Sequence, residues 1–161
     1  MKELYLFRHA RAVDHAASDW ERALQPEGRK EARTVGGALL AQQVGFVTIA
    51  VSPLVRAVET ATLVAVEMHY DAGLVVDSAL TPDGTTKQLF ALLARLTGDR
   101  VALVGHEPSM GQLLSDLVGR PGMSLVKAGV VKLTIDEAPQ LGKATLVWTM
   151  SPRQLTPTRA Q

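Results

Sequence analysis

The sequence predicts a single α/β domain over residues 1–161, three-layered, with a mainly parallel central sheet and helices on both faces. Three observations carry that prediction. Runs at 4–7, 47–51 and 100–104, apolar except for Thr48 and Arg100, have the length and character of strands buried on both faces of a sheet. The stretches between them place apolar residues at helical spacing, so strands and helices alternate along the chain. A length of 161 residues suits one domain, and a chain of that size buries about 70 % of its unfolded surface without a covalent staple.

The first strand, Leu4-Tyr5-Leu6-Phe7, stops at Arg8-His9, and the polar residues 10–26 form a long loop. A helix is expected over 27–43 with Ala32, Val35, Leu39 and Leu40 on one face; Gly36-Gly37 weakens it but permits close packing. After strand 47–51, Ser52-Pro53 reads as a helix start, with serine capping free N–H groups and proline at the first position of a helix running to 68. Leu74-Val75-Val76 is a short strand and Thr81-Pro82-Asp83-Gly84 a turn. Leu89, Leu92, Leu93 and Leu96 mark the inner face of a helix over 86–96. Strand 100–104 ends at Gly105-His106, and Pro108 opens a helix to 118. Runs 130–135 and 144–149, joined by a polar turn, make a hairpin-like pair and an antiparallel edge; the tail from Ser151, with Pro152 and Pro157, is expected to be irregular.

Composition removes several functions. Seventeen Lys and Arg against sixteen Asp and Glu leave a net charge of +1, too balanced for a dedicated nucleic-acid binder. The absence of cysteine excludes a disulfide scaffold, a thiolate zinc site and a cysteine nucleophile. No run approaches the roughly 18 apolar residues of a membrane span, and Met1-Lys2-Glu3 leads straight into a strand, so no membrane partner and a cytoplasmic location are expected.

Chemistry gathers where strands end. Arg8-His9 follows the first strand, Arg56 lies in the first turn after the second, and His106 follows the third long strand. Ligands of open α/β sheets bind beyond the carboxyl ends of the strands, so these groups should converge. Two guanidiniums and two imidazoles suit a phosphoryl group, whose oxygens arginine forks grip bidentately, and the helix start after Ser52 adds N–H groups and a positive dipole end. Each group alone has a plainer explanation: a solvated Arg-His pair, an Arg56–Glu59 ion pair at i,i+3, an exposed histidine after a turn glycine. Their common position at one sheet edge outweighs those readings.

Leu6-Phe7-Arg8-His9-Ala10, the run from Ser52-Pro53-Leu54-Val55-Arg56 to Ala61, and Leu103-Val104-Gly105-His106-Glu107-Pro108 resemble the histidine phosphatase superfamily, named for an Arg-His-Gly motif. The likeness is nearest to its small bacterial branch, the SixA-type protein-histidine phosphatases. Asp19, Arg22, Leu24, Pro26-Glu27-Gly28, the Leu80 to Gly84 turn and Trp148-Thr149-Met150-Ser151-Pro152 extend it nearly end to end. The resemblance implies a phosphoglycerate-mutase-like fold, His9 as the nucleophile that becomes phosphohistidine, and Arg8, Arg56 and His106 as holders of the phosphate oxygens; Arg22 is a further substrate-binding candidate on its position alone, against a loop-ordering pair with Asp19. The resemblance implies no cofactor and no metal. Ala10 departs from the motif, which has glycine there, and puts the fine geometry in question.

Superfamily members acting on phosphate esters resemble one another in having a carboxylate before the last catalytic histidine, as general acid. Here that segment reads Leu80-Thr81-Pro82. Asp83, one position later, is a candidate acid, although a Pro-Asp-Gly turn uses its aspartate as a local cap. Glu107 is a second candidate that could equally favour the following helix start. A missing acid fits a labile P–N bond, and the short chain leaves an open site for a protein-borne group. The expected function is therefore a metal-independent phosphohistidine phosphatase acting on a phosphohistidine-bearing protein such as a histidine phosphotransfer domain. The alternatives are a broad-specificity acid or small-metabolite phosphatase, or a non-catalytic phosphoprotein-binding module. His15 is expected to face solvent, Asp19 and Arg22 to form a loop-ordering pair, Trp20 to pack, and Met68 and Met110 to fill core.

Overall fold

The computed structural model describes residues 1–161. One sheet of seven strands organises the chain, in the order β3-β2-β4-β1-β5-β6-β7. Strands β1 (Lys2–Arg8), β2 (Thr48–Val51), β3 (Leu74–Val76) and β4 (Arg100–Gly105) are mutually parallel. Strands β5 (Val130–Ile135), β6 (Thr145–Ser151) and β7 (Gln154–Arg159) continue the sheet antiparallel.

Helices α1 (Pro26–Ala41) and α2 (Val55–Glu67) carry the chain from β1 to β2 to β3, in one direction across the sheet. Helices α3 (Thr86–Arg95) and α4 (Ser109–Val118) follow after the direction reverses. Right-handed crossovers require helices to change face when the direction changes. The core obeys: Leu4, Leu6, Val101 and Leu103 pack with α3 and α4, whereas Tyr5, Phe7, Ala102 and Val104 pack with α1 and α2. Alternate residues of each central strand thus serve opposite faces, and both faces are apolar, hence the apolar runs in the sequence.

Two glycines are set by close approach. A Cβ on Gly36 would lie 2.9 Å from the Glu67 Cβ and 3.2 Å from the Val64 backbone, so this residue lets α1 rest on α2; Gly37 faces open space. A Cβ on Gly28 would lie 2.1 Å from the Arg11 carbonyl oxygen, so α1 can hold the loop after β1 only with glycine there.

Two expectations are corrected. The tail is not irregular: β7 pairs with β6. An edge strand needs only one neighbour, so Pro157 and polar residues are tolerated, and no apolar period advertises it. The second helix begins at Val55 rather than Pro53, with Leu54 at its cap position and no side-chain cap. Ser52 is free for another use. No helix is long and apolar enough to cross a membrane.

Candidate active site

The parallel strands β2, β4 and β1 are neighbours, so their carboxyl ends lie side by side and deliver Ser52, His106, and Arg8 with His9 to one place. The His9 and His106 rings are 5.1 Å apart, centre to centre. His9 is buried, and its Nδ1 lies 2.7 Å from its neighbour's carbonyl, that of Ala10. A carbonyl only accepts, so Nδ1 carries the hydrogen and Nε2 keeps its lone pair. Ala10 is fully buried, is not left-handed, and donates its N–H to the Thr60 hydroxyl at 3.0 Å. Alanine therefore fits this motif position without backbone strain, its methyl packed with Ala12, Leu24, Ala32 and Ala128.

Ser52 is the residue that sequence reasoning missed. It is fully buried; its Oγ accepts the Leu54 N–H at 3.2 Å and lies 2.7 Å from His106 Nε2. Giving its own hydrogen to Nε2 satisfies Ser52 and leaves the proton of His106 on Nδ1. The signal was present in Ser52-Pro53, but it described a backbone cap, whereas a hydroxyl has both an acceptor and a donor to place.

Arg56 is buried, yet it does not pair with Glu59. Its Nη1 donates to the Asp19 carbonyl at 2.8 Å and its Nη2 to the Asp19 carboxylate at 3.2 Å. Glu59 instead binds Arg29 and accepts the Leu24 N–H. Arg22 spends itself on the loop, Nε to the Val13 carbonyl at 2.7 Å and Nη1 to Asp19 at 2.8 Å, which leaves it supporting Asp19 rather than extending a substrate surface. Those bonds, Arg22 first and then Arg56, hold the Asp19 carboxyl below the usual carboxylate range. Beside it Trp20 is half exposed, not packed, and its carbonyl takes the Val55 N–H; that end of α2 is thus partly closed to a ligand.

Arg8 is fixed from the loop before β5. Its Nη1 donates to the Leu125 carbonyl at 3.1 Å, its backbone N–H to Gly129, and Ala128 donates to the His9 carbonyl. The Leu125 N–H is in turn held by the Glu107 carboxylate at 3.0 Å. Glu107 therefore braces the loop that braces Arg8. Asp83 stands exposed in its turn, which is closed by the Gly84 N–H on the Thr81 carbonyl at 2.9 Å. His15 is exposed; Met68 and Met110 are core.

Three buried polar atoms have no partner: Arg8 Nε, Arg56 Nε and His106 Nδ1. Buried donors are rarely left unmade, since each costs about 1–3 kcal/mol. All three belong to the groups gathered around His9, so an anion held there would satisfy them together. Burial pushes the His9 imidazole down to about 4; the bond to the Ala10 carbonyl is the next influence and opposes it, and Arg56, Arg8 and Lys127 add to the lowering. Burial, then His9 and Arg56, push His106 down to about 3. Both rings are therefore neutral at pH 7.

A nuclear magnetic resonance titration of the two rings should give midpoints near 4 and 3, with no His9 transition near 6.5. The unfolded chain takes up these protons near pH 6.5, before the folded one does. Conformational stability should therefore fall as pH is lowered from 6.5 towards 4. A His9 midpoint near 6.5 would remove the desolvated site.

A parallel sheet that gathers two guanidiniums and two neutral imidazoles at its carboxyl edge is the equipment of a phosphoryl-transfer α/β protein. The family model of the histidine phosphatase superfamily (branch 1) matches residues 4–81. The chain is 31 % identical over 162 residues to the phosphohistidine phosphatase SixA of Escherichia coli (strain K12), spanning 98 % of this chain and 99 % of the relative. It is 35 % identical over 141 residues to an uncharacterised protein of Picosynechococcus sp., covering 81 % of this chain and 84 % of that one. The structure of the protein histidine phosphatase SixA complexed with tungstate superposes with a TM-score of 0.87 at 31 % identity, over 96 % of this chain and 99 % of the other. This chain belongs to the histidine phosphatase superfamily.

Proposed function

We propose that the chain is a metal-independent protein phosphohistidine phosphatase, working as one domain, in which His9 Nε2 accepts the phosphoryl group. The observation that supports this most directly is the His9 ring, neutral and pinned through Nδ1, beside three unpartnered buried donors. His9 Nε2 attacks phosphorus, an Nε2–P bond forms and the substrate P–N bond breaks. The departing ring keeps that electron pair and, protonated on its other nitrogen, leaves as neutral imidazole. Water then attacks the phospho-enzyme, its oxygen bonds to phosphorus, and His9 recovers its lone pair as phosphate departs. A loose phosphoryl-transfer transition state needs positioning and charge, which Arg8, Arg56 and His106 Nδ1–H supply. No three His, Asp or Glu side chains converge to form a metal cage, so chelators should leave the rate unchanged.

The choice of a P–N bond rests on the carboxylates. Glu107 is committed to the Leu125 N–H and Asp83 stands exposed in its turn, while the similar SixA is by name a phosphohistidine phosphatase. The partner would be a phosphohistidine-bearing protein, a histidine phosphotransfer domain being one form, in cytoplasmic signal transduction.

A substrate panel tests the reading. Phosphohistidine protein should be hydrolysed well by the wild type, by Asp83→Asn and by Glu107→Gln, whose amide oxygen still accepts the Leu125 N–H. Alkyl phosphate esters should be slow throughout, because general acid catalysis worth about 10²–10⁴-fold is missing. Esters cleaved as fast as phosphohistidine, with one carboxylate variant losing only that activity, would establish the metabolite-phosphatase alternative; no turnover of any phosphorylated compound would leave a binding module.

A further inference from the structure

An open cleft of about 690 Å³ runs outward from Arg8, between α1, the loop before β5 and the β6–β7 turn. Its walls carry Arg8, Arg11, Lys30, Lys127 and Arg153. Only Glu27 and Glu31 oppose them, and Glu31 lies 3.7 Å from Arg11. Five cations thus face two carboxylates, a surplus of three, in a chain whose whole net charge is +1. Lys30, Lys127 and Arg153 are exposed and make no ion pair. The surplus is therefore local, concave and continuous with the site, rather than a property of the surface at large. Such a field concentrates ligands of opposite sign and steers their approach.

We infer that this cleft is the docking surface for the polypeptide around the phosphorylated histidine, and that it selects acidic flanking residues. This rests on the function proposed above and adds what the partner must look like. The size of the surplus favours an acidic peptide over a nucleic acid: three uncompensated cations in one cleft, in a chain of net charge +1, match a few carboxylates rather than a long run of phosphates. Lys127 also adjoins the chemistry, since its loop neighbour Ala128 donates to the His9 carbonyl. A carboxylate seated against Lys127 would lie next to the phosphoryl group being transferred.

The test uses three substrates: free phosphohistidine, a short phosphohistidine peptide with aspartate and glutamate flanks, and the same peptide with asparagine and lysine flanks. The full chain is compared with Lys30→Glu/Arg153→Glu and with a control of equal charge change, Lys87→Glu/Lys143→Glu, at exposed lysines outside the cleft. For the acidic peptide, the cleft variant should raise KM roughly tenfold with kcat little changed. Its KM should also depend less steeply on salt, while turnover of free phosphohistidine and the control variant stay as wild type. Equal KM for both peptides in the wild type, or equal losses in the cleft and control variants, would overturn the inference.

Binding of the unphosphorylated acidic peptide, followed by fluorescence anisotropy, separates docking from catalysis. If no phosphohistidine compound turns over, the proposed function fails, yet a roughly tenfold weaker Kd in the cleft variant still supports the cleft as an acidic-peptide site. An unchanged Kd overturns it, and so does a single-stranded oligonucleotide that displaces the peptide at lower concentration than the free peptide itself.

Discussion

Replacing His9 by alanine should lower phosphohistidine hydrolysis by at least about 10⁴-fold, the scale expected when the attacking group itself is removed. No other side chain can take over. His106 is the only second imidazole at the site, and its Nε2 is bound to Ser52, which leaves a protonated Nδ1 facing inward. Wild-type enzyme quenched during turnover should carry phosphate on His9 that survives base and is lost in acid, the stability of a phosphoramidate. The alanine variant should carry none. It should still bind vanadate, because Arg8, Arg56 and His106 remain. It should also fold: His9 contributes one bond, to its neighbour's carbonyl, and the backbone bonds of its segment to Gly105, Ala128 and Thr60 persist. Activity within tenfold of wild type, or phosphate trapped elsewhere on the chain, would overturn His9 as the nucleophile.

The parts of this site legible in the sequence are those that strand ends announce. A strand buried on both faces must be apolar throughout, so the point where polarity returns marks the carboxyl edge of the sheet, and Arg8, His9 and His106 stand there. Side-chain pairing was less legible. Arg56 has Glu59 one helical turn away, but its partner is Asp19, thirty-seven residues earlier, because the loop after β1 folds back over the start of α2. The loop before β5 escaped notice for a related reason. Its hold on Arg8 and His9 comes from backbone groups of Leu125, Ala128 and Gly129, and backbone bonds leave no periodic trace in residue type. Glu107 looked like a candidate acid because it adjoins His106; adjacency in sequence says nothing about direction, and its carboxylate turns to Leu125. The edge strand β7 was illegible because one neighbour and one solvated face impose little on composition.

Arg56→Ala should cost about 10³-fold in kcat, near the scale of removing an arginine that stabilises a phosphoryl-transfer transition state. The loss should fall on kcat more than on KM, since the charge on phosphorus oxygens shifts as the bond breaks and the guanidinium meets it then. Arg56→Lys should recover only part, because an ammonium keeps the charge but not the planar fork that reaches Asp19 with two nitrogens while leaving Nε inward. Asp19→Asn tests the support separately. The Asp19 backbone carbonyl still accepts Nη1, so the guanidinium stays placed and the loss should be about three- to tenfold. Removing Arg56 also removes a positive charge that opposes protonation of both rings, so the His9 midpoint should rise from about 4, an effect a merely structural role would not produce. Folding should survive, because the carboxylate left behind on Asp19 is largely exposed and keeps Arg22. An Arg56→Ala enzyme within threefold of wild type, or one with an unmoved His9 midpoint, would show that this guanidinium does not face the reacting phosphoryl group.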